Sequence, residues 1–192
     1  MKWCNTKRKI DYKNEKFNFI IAELVFKCPT SIKKGKEYTN VSKRSCTFRD
    51  RKISHGLLNT LLSEIRKPLM KNGTYIIALK DDEIETKYKE FNEKVSIKDP
   101  NYEIIIYKER NDMSKAETIY YYIRNAFAHG DFEIITVDDS RVYKLESESK
   151  GDKKAWIRLK EKTLLRYIEL SNLSPQKIIN LRNKSKIYNS IM

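Results

Sequence analysis

Cysteine is scarce in this chain: Cys4, Cys28 and Cys46 stand far apart, and no C-x-x-C pair occurs. A self-contained disulfide framework would need an even count, and zinc would need ligands in tight pairs, so reduced structural thiols are expected. Histidine is scarcer still, with only His55 and His129 in 192 residues. No constellation of Asp and Glu suited to two metal ions is recognisable near His129. The start, Met1-Lys2-Trp3-Cys4, lacks the apolar core of a signal peptide. Apolar clusters such as Ile104-Ile105-Ile106 are far too short to span a bilayer. A soluble, cytoplasmic protein without a membrane segment is the expectation. Internal repeats are absent, and no stretch has the composition of a linker to a second domain.

What the chain has in abundance is positive charge. Its formal net charge is +14, and the distribution is uneven. Residues 1–80 hold 19 Lys and Arg against 6 Asp and Glu, whereas residues 81–192 hold 21 against 20. A cationic amino-terminal portion beside a nearly neutral remainder has the form of an electrostatic footprint for nucleic acid. Lysine that merely decorates the surface would give the same total, but its concentration in the first 80 residues favours binding. With 40% hydrophobic and 11% aromatic residues, the chain has the composition of a folded protein.

Hydrophobic spacing divides the chain into elements. Phe17, Ile20, Ile21, Leu24 and Val25 recur at helical intervals before Pro29, while residues 30–53 read as a polar, lysine-rich loop or mobile insertion. An amphipathic helix over about 54–67 buries Leu57, Leu58, Leu61, Leu62 and Ile65, with Ser54 as N-cap and Pro68 as its stop. Tyr75–Leu79 is a strand or buried helix, 82–94 an exposed helix, and Tyr102–Tyr107 a short strand. Ser114 and Glu117 form a capping box that opens a helix over about 114–129. Phe132–Val137, Val142–Leu145 and Ala155–Leu159 are β-like runs separated by turn signals, which predicts a small antiparallel meander. Helices over 161–172 and 175–188 complete a mainly α protein with a β insertion.

The chemistry concentrates in Arg124-Asn125-Ala126-Phe127-Ala128-His129-Gly130. Ile119, Ile123, Ala126 and Phe127 supply the buried face, which turns Tyr121, Arg124, Asn125 and Ala128 outward. Asn125 and His129 are four residues apart and share a face, with Tyr121 and Tyr122 one turn below. Basic residues followed by Gly also end many ordinary helices, because a cation favours the negative end of the dipole. His55, at a helix start where a cation is disfavoured, is assigned no catalytic part. The segment Lys43-Arg44 with Arg49, Arg51 and Lys52 is a candidate strip for phosphate contacts, with a solvated loop as the equal alternative. Tyr120, Tyr121 and Tyr122 suit stacking on a splayed base or, more commonly, packing against a partner helix.

The run from Arg124 to His129 resembles the Arg-x4–6-His signature of the HEPN superfamily, in which a polar residue often follows the arginine. Gly130, the β-rich stretch after it, and Trp156–Leu170 resemble a plasmid- and defence-associated prokaryotic branch, over about residues 54–172. The resemblance implies a HEPN-like helical bundle with a small antiparallel β meander inserted after the motif helix. It spans 54–192, with 1–53 as a basic extension packed on the same domain. It further implies a homodimer with metal-independent endoribonuclease activity and no cofactor, of a toxin or phage-defence kind. An antitoxin or other regulatory protein is the implied partner. Arg124, Asn125 and His129 would be the functional set; Tyr121 and the amino-terminal cations are candidate RNA contacts from their own chemistry and not from the resemblance. RNA carries its own nucleophile, the 2′-hydroxyl, so the protein need only move protons and stabilise charge. An imidazole does the first near neutral pH. A planar guanidinium does the second at the phosphorane oxygens. The products would be a 2′,3′-cyclic phosphate and a 5′-hydroxyl.

Overall fold

The computed structural model describes residues 13–42, 46–71, 76–79, 83–95 and 102–191. Helix α1 (Glu15–Ile21) begins where the Asn14 side chain accepts from the Phe17 N–H, and it continues into a π-helical turn, Ala22–Phe26. The five apolar residues picked out by their spacing are its buried face. The expected loop over 30–53 is instead structured in its described part. Strands β1 (Ser31–Lys34) and β2 (Glu37–Asn40) pair as an antiparallel hairpin. Asp50 then closes a turn by accepting from the N–H and hydroxyl of Thr47. The hairpin was illegible because β2 is wholly exposed and only Ser31 of β1 is buried, so no two-residue alternation exists to read.

Helix α2 (His55–Lys71) buries the predicted leucine stripe but does not stop at Pro68, which lies inside it. Proline removes one intrahelical hydrogen bond and costs a helix interior about 3 kcal/mol. Here Leu69, 1% exposed, continues the buried stripe beyond it, and that packing offsets the loss. Strand β3 (Ile76–Leu79), helix α3 (Ile84–Val95) and strand β4 (Ile104–Lys108) form a crossover unit in which β3 and β4 run parallel. Helix α4 (Lys115–His129) leads into β5 (Phe132–Val137), β6 (Ser140–Ser149) and β7 (Asp152–Lys160). Two helices end the chain, α5 (Glu161–Ser171) and α6 (Pro175–Ile191).

The mainly α expectation is overturned, because the meander is not an insertion. It joins the crossover unit in one five-stranded sheet of order β3-β4-β7-β6-β5, antiparallel except for β3–β4. The protein is therefore α+β, and no helical bundle with a β appendage describes it. Strand β4 is the reason. Ile105 and Tyr107 pack into the main core with α2, α4 and α5, while Ile104 and Ile106 pack on the opposite face with Ile84, Phe91 and Trp156. A strand buried on both faces reads as a continuous apolar run, which conceals its place at the middle of a sheet.

The meander's turns need left-handed backbone. Asp138 and Asp139 have φ of 46° and 59°, and Lys150 and Gly151 have 56° and 83°. Two successive positive φ values define the hairpin turn whose twist matches that of the flanking strands. Two buried tyrosines then bind the helices together: Tyr120 donates to the Tyr167 carbonyl at 2.7 Å, and Tyr167 donates to the Ile65 carbonyl at 2.9 Å. Phe17 and Ile20 of α1 belong to the same core as α2 and α4.

Candidate functional site

Helix α4 is defined at both ends by local chemistry. Ser114 accepts from the Glu117 N–H at 3.2 Å, and the Glu117 carboxylate accepts from the Ser114 N–H at 3.0 Å, completing the capping box. At the other end Gly130 adopts φ 80°, and the Asp131 N–H returns to the Ala126 carbonyl at 2.9 Å. His129 is thus the last helical residue and stands exposed at the helix end.

Four residues of α4, Tyr121, Tyr122, Asn125 and His129, line a cleft of about 350 Å³. Its other walls are the end of β4 with the segment after it (Lys108, Glu109, Arg110) and the β6–β7 hairpin (Ser147, Glu148, Ser149, Lys154). Glu109 pairs with Lys115 at 2.7 Å, and Glu148 lies 3.4 Å from Lys153, which also pairs with Glu146. Arg110 and Lys154 are paired in turn with Asp112 and Asp152, each at 2.8 Å, so the lining itself, with Lys108, holds three cations against two acids.

Arg124 does not line this cleft. Its Nη1 donates to Asn125 Oδ1 at 3.1 Å, and its Nε is buried with no hydrogen-bond partner among the described residues. Its charge reaches Cys28, whose thiol is raised by burial and lowered, more weakly, by Thr30 and by this guanidinium. Arg124 engages the oxygen of the Asn125 carboxamide, which turns the NH₂, a two-proton donor, away from the guanidinium. Asp131, two residues past His129, has its carboxyl raised by burial, and the nearby His129 only partly opposes that.

The three consecutive tyrosines have three different settings. Tyr120 is fully buried and hydrogen-bonded to α5; Tyr122 is nearly buried, its hydroxyl pushed up to about 12 by burial; Tyr121 is half-buried at the cleft wall. In the amino-terminal strip, Lys43 and Arg44 lie outside the described residues. Arg51 donates to the carbonyls of Leu173 and Thr47 at 3.1 and 3.4 Å, which ties it into the fold. Arg49 and Lys52 are exposed, with Arg49 stacked 3.5 Å over the Tyr38 ring. His55 is exposed at the first turn of α2.

Lys108, Arg110 and Lys154 escaped the sequence reading. No spacing rule connects residues that lie on a strand end, the turn after it and a hairpin; the pairing of β4 with β7 brings them together. A larger, more open depression of about 1710 Å³ lies elsewhere, between Lys13–Lys16, the end of α2 and the start of α5. In its lining Glu161 contacts both Lys16 and Arg141, at 3.9 and 3.6 Å. Among the described residues no group of three or more His, Cys, Asp and Glu is placed to hold a metal ion, and no helix is long and apolar enough to cross a membrane. Comparison with known proteins finds no match to a family model, to a curated protein or to a solved structure. The site therefore has to be read from its own chemistry. It is a cleft with a small formal excess of positive charge on an α+β scaffold, with an imidazole at one rim and an amide donor beside it.

Proposed function

We propose that this chain is a metal-independent endoribonuclease that uses the substrate's own 2′-hydroxyl to produce 2′,3′-cyclic phosphate and 5′-hydroxyl ends. The observation that carries the reading is the exposed His129 at the rim of the cleft formed by Asn125, Tyr121 and the cations Lys108, Arg110 and Lys154. A phosphodiester seated there would meet an imidazole able to exchange the 2′-hydroxyl proton, an amide donor for a phosphate oxygen, and the ammonium groups of Lys108 and Lys154 for the charge that develops. The resemblance of Arg124–His129 to the HEPN signature supports this reading, as does the basic amino-terminal portion. A cytoplasmic toxin or phage-defence effector restrained by a protein partner is the biological role that the resemblance implies.

Arg124 enters the reaction through a second copy of the chain. Five residues along a helix advance about 500°, leaving Arg124 and His129 about 140° apart and roughly 7–8 Å along the axis. A two-fold axis near the carboxyl end of α4 would bring Arg124 of one protomer toward His129 of the other, in the commonest symmetry of soluble oligomers.

Purified protein incubated with total RNA in EDTA provides the test. Products ending in cyclic phosphate support the enzyme. An intact RNA whose band is merely shifted would instead establish a non-catalytic RNA-binding or scaffold domain. That second reading is favoured by one specific observation: within a single chain the guanidinium of Arg124 is engaged with Asn125 and stands outside the cleft lining.

A further inference from the structure

The most constrained cation in the cleft is Arg110, which no motif singled out. Its Nε and Nη2 donate to the two Asp112 oxygens at 2.9 and 2.8 Å, a bidentate clamp. Its guanidinium carbon sits 4.5 Å over the Tyr121 ring. Burial acts to raise the Asp112 carboxyl, but the hydrogen bonds and charge of Arg110 prevail and hold it below the ordinary carboxylate range. The Arg110 side chain is 29% exposed and lines the same cleft as Asn125 and His129.

The geometry points to Arg110 as a stacking platform for one unpaired nucleobase of a single-stranded RNA, beside the phosphate presented to His129. This inference rests on the ribonuclease reading of the same cleft and names how its substrate is held. A guanidinium binds phosphate through the fork formed by two of its nitrogens. In Arg110 the Nε–Nη2 fork is occupied by Asp112, and the compensated charge weakens the pull of the remaining N–H groups on a phosphate. One face is covered by Tyr121. Beyond its outer N–H groups it has the opposite face to offer, held in a fixed plane by both contacts. Bases splayed out of single-stranded RNA are recognised by stacking on aromatic rings and on guanidinium planes of this kind. The fixed plane also removes the ordering cost that a free arginine would bear on binding. Paired bases in a duplex present no free face, so the substrate class is single-stranded.

The experiment compares binding of two 2′-O-methylated eight-nucleotide strands, one of adenosines and one of abasic sites, by fluorescence anisotropy. The methyl group removes the nucleophile, so binding is read without turnover and independently of the cleavage assay. Arg110→Lys keeps a cation beside Asp112 and abolishes the planar face. It should weaken the adenosine strand about tenfold, the loss of one stacked base, and leave the abasic strand unchanged. Should Arg110→Lys fail to fold, Asp112→Asn, which leaves Arg110 and Tyr121 in place but loosens the clamp, should likewise weaken the adenosine strand more than the abasic one. Equal weakening of both strands would show a phosphate contact and overturn the proposal. Unchanged affinity for both would show that the clamp only braces the fold, and overturn it as well.

Discussion

His129 and Arg124 occupy different environments, and truncating them should have different consequences. His129 is exposed, so His129→Ala should abolish cleavage while altering stability by no more than about 0.5 kcal/mol, the usual range for surface changes. Arg124→Ala also frees the Asn125 oxygen and should cost activity together with roughly 1 kcal/mol of stability. Ribonuclease assays beside thermal melts of both variants check this, and wild-type turnover by a folded His129→Ala protein would remove His129 from the mechanism. Glu103 makes a different kind of prediction. It is 2% exposed, accepts from the Lys160 N–H at 2.8 Å at the start of α5, and has its carboxyl raised by burial in spite of that bond and of Thr163. A carboxyl whose folded pKa exceeds its unfolded value contributes stability below the unfolded pKa and loses it as pH rises through the folded one. Glu103→Gln cannot titrate, so its stability relative to wild type should improve as pH rises above the ordinary carboxylate range. Denaturant melts over that rise in pH test the sign, and a flat difference would mean that Glu103 titrates alike in both states.

Helix α4 carries the motif, and both of its ends are open to test. Ser114→Ala removes the cap that accepts from Glu117 and should cost about 1 kcal/mol. At the other end Gly130 has φ 80°, and a Cβ there would meet nothing within 4 Å. The expense of Gly130→Ala is therefore purely conformational, roughly 1–2 kcal/mol for a left-handed alanine. Relief of that strain would rotate the cap and move His129, so Gly130→Ala should lose more activity than Ser114→Ala. Gly130→Asn, which tolerates the left-handed region better, should recover part of it. Turnover measured beside chemical denaturation of the three variants decides the matter; equal activity losses would show that the cap does not position the histidine.

Across the whole molecule, charge and symmetry make separable claims. Arg49 and Lys52 are exposed near the basic hairpin, whereas Arg51 is tied to the Leu173 carbonyl. Arg49→Ser with Lys52→Ser should reduce the salt dependence of RNA binding by about 0.7 in log–log slope for each phosphate that is no longer neutralised. Arg51→Ser should lower stability instead. Titrations of binding against salt distinguish the two, and an unchanged slope in the double variant would place the RNA path elsewhere. For the shared site, equimolar mixing of Arg124→Ala with His129→Ala protein should restore about a quarter of wild-type activity. Half the dimers would be mixed, and each of those would hold one intact pair. Persistent inactivity after exchange of subunits would place both groups in a single chain.

The local rules of the chain were sufficient for α4. Ser114 and Glu117 three apart, an apolar face of Ile119, Ile123, Ala126 and Phe127, and Gly130 after His129 specify a helix with its start, its buried side and its end. They also place Asn125 and His129 on one outward face, which is why half of the candidate site was legible. The β5–β6 and β6–β7 turns were legible for the same reason, since Asp138-Asp139 and Lys150-Gly151 are signals contained in adjacent residues. Pairing between distant strands decided the rest. Ile104–Tyr107 looks identical in sequence whether it forms a minor strand or the strand that joins β3 to β7, because burial on both faces erases alternation. Only that pairing turns a mainly helical expectation into an α+β fold. The same pairing brings Lys108, Arg110 and Lys154 to the face of α4. Their association depends on contacts between residues more than forty positions apart, and no local preference encodes contacts of that range.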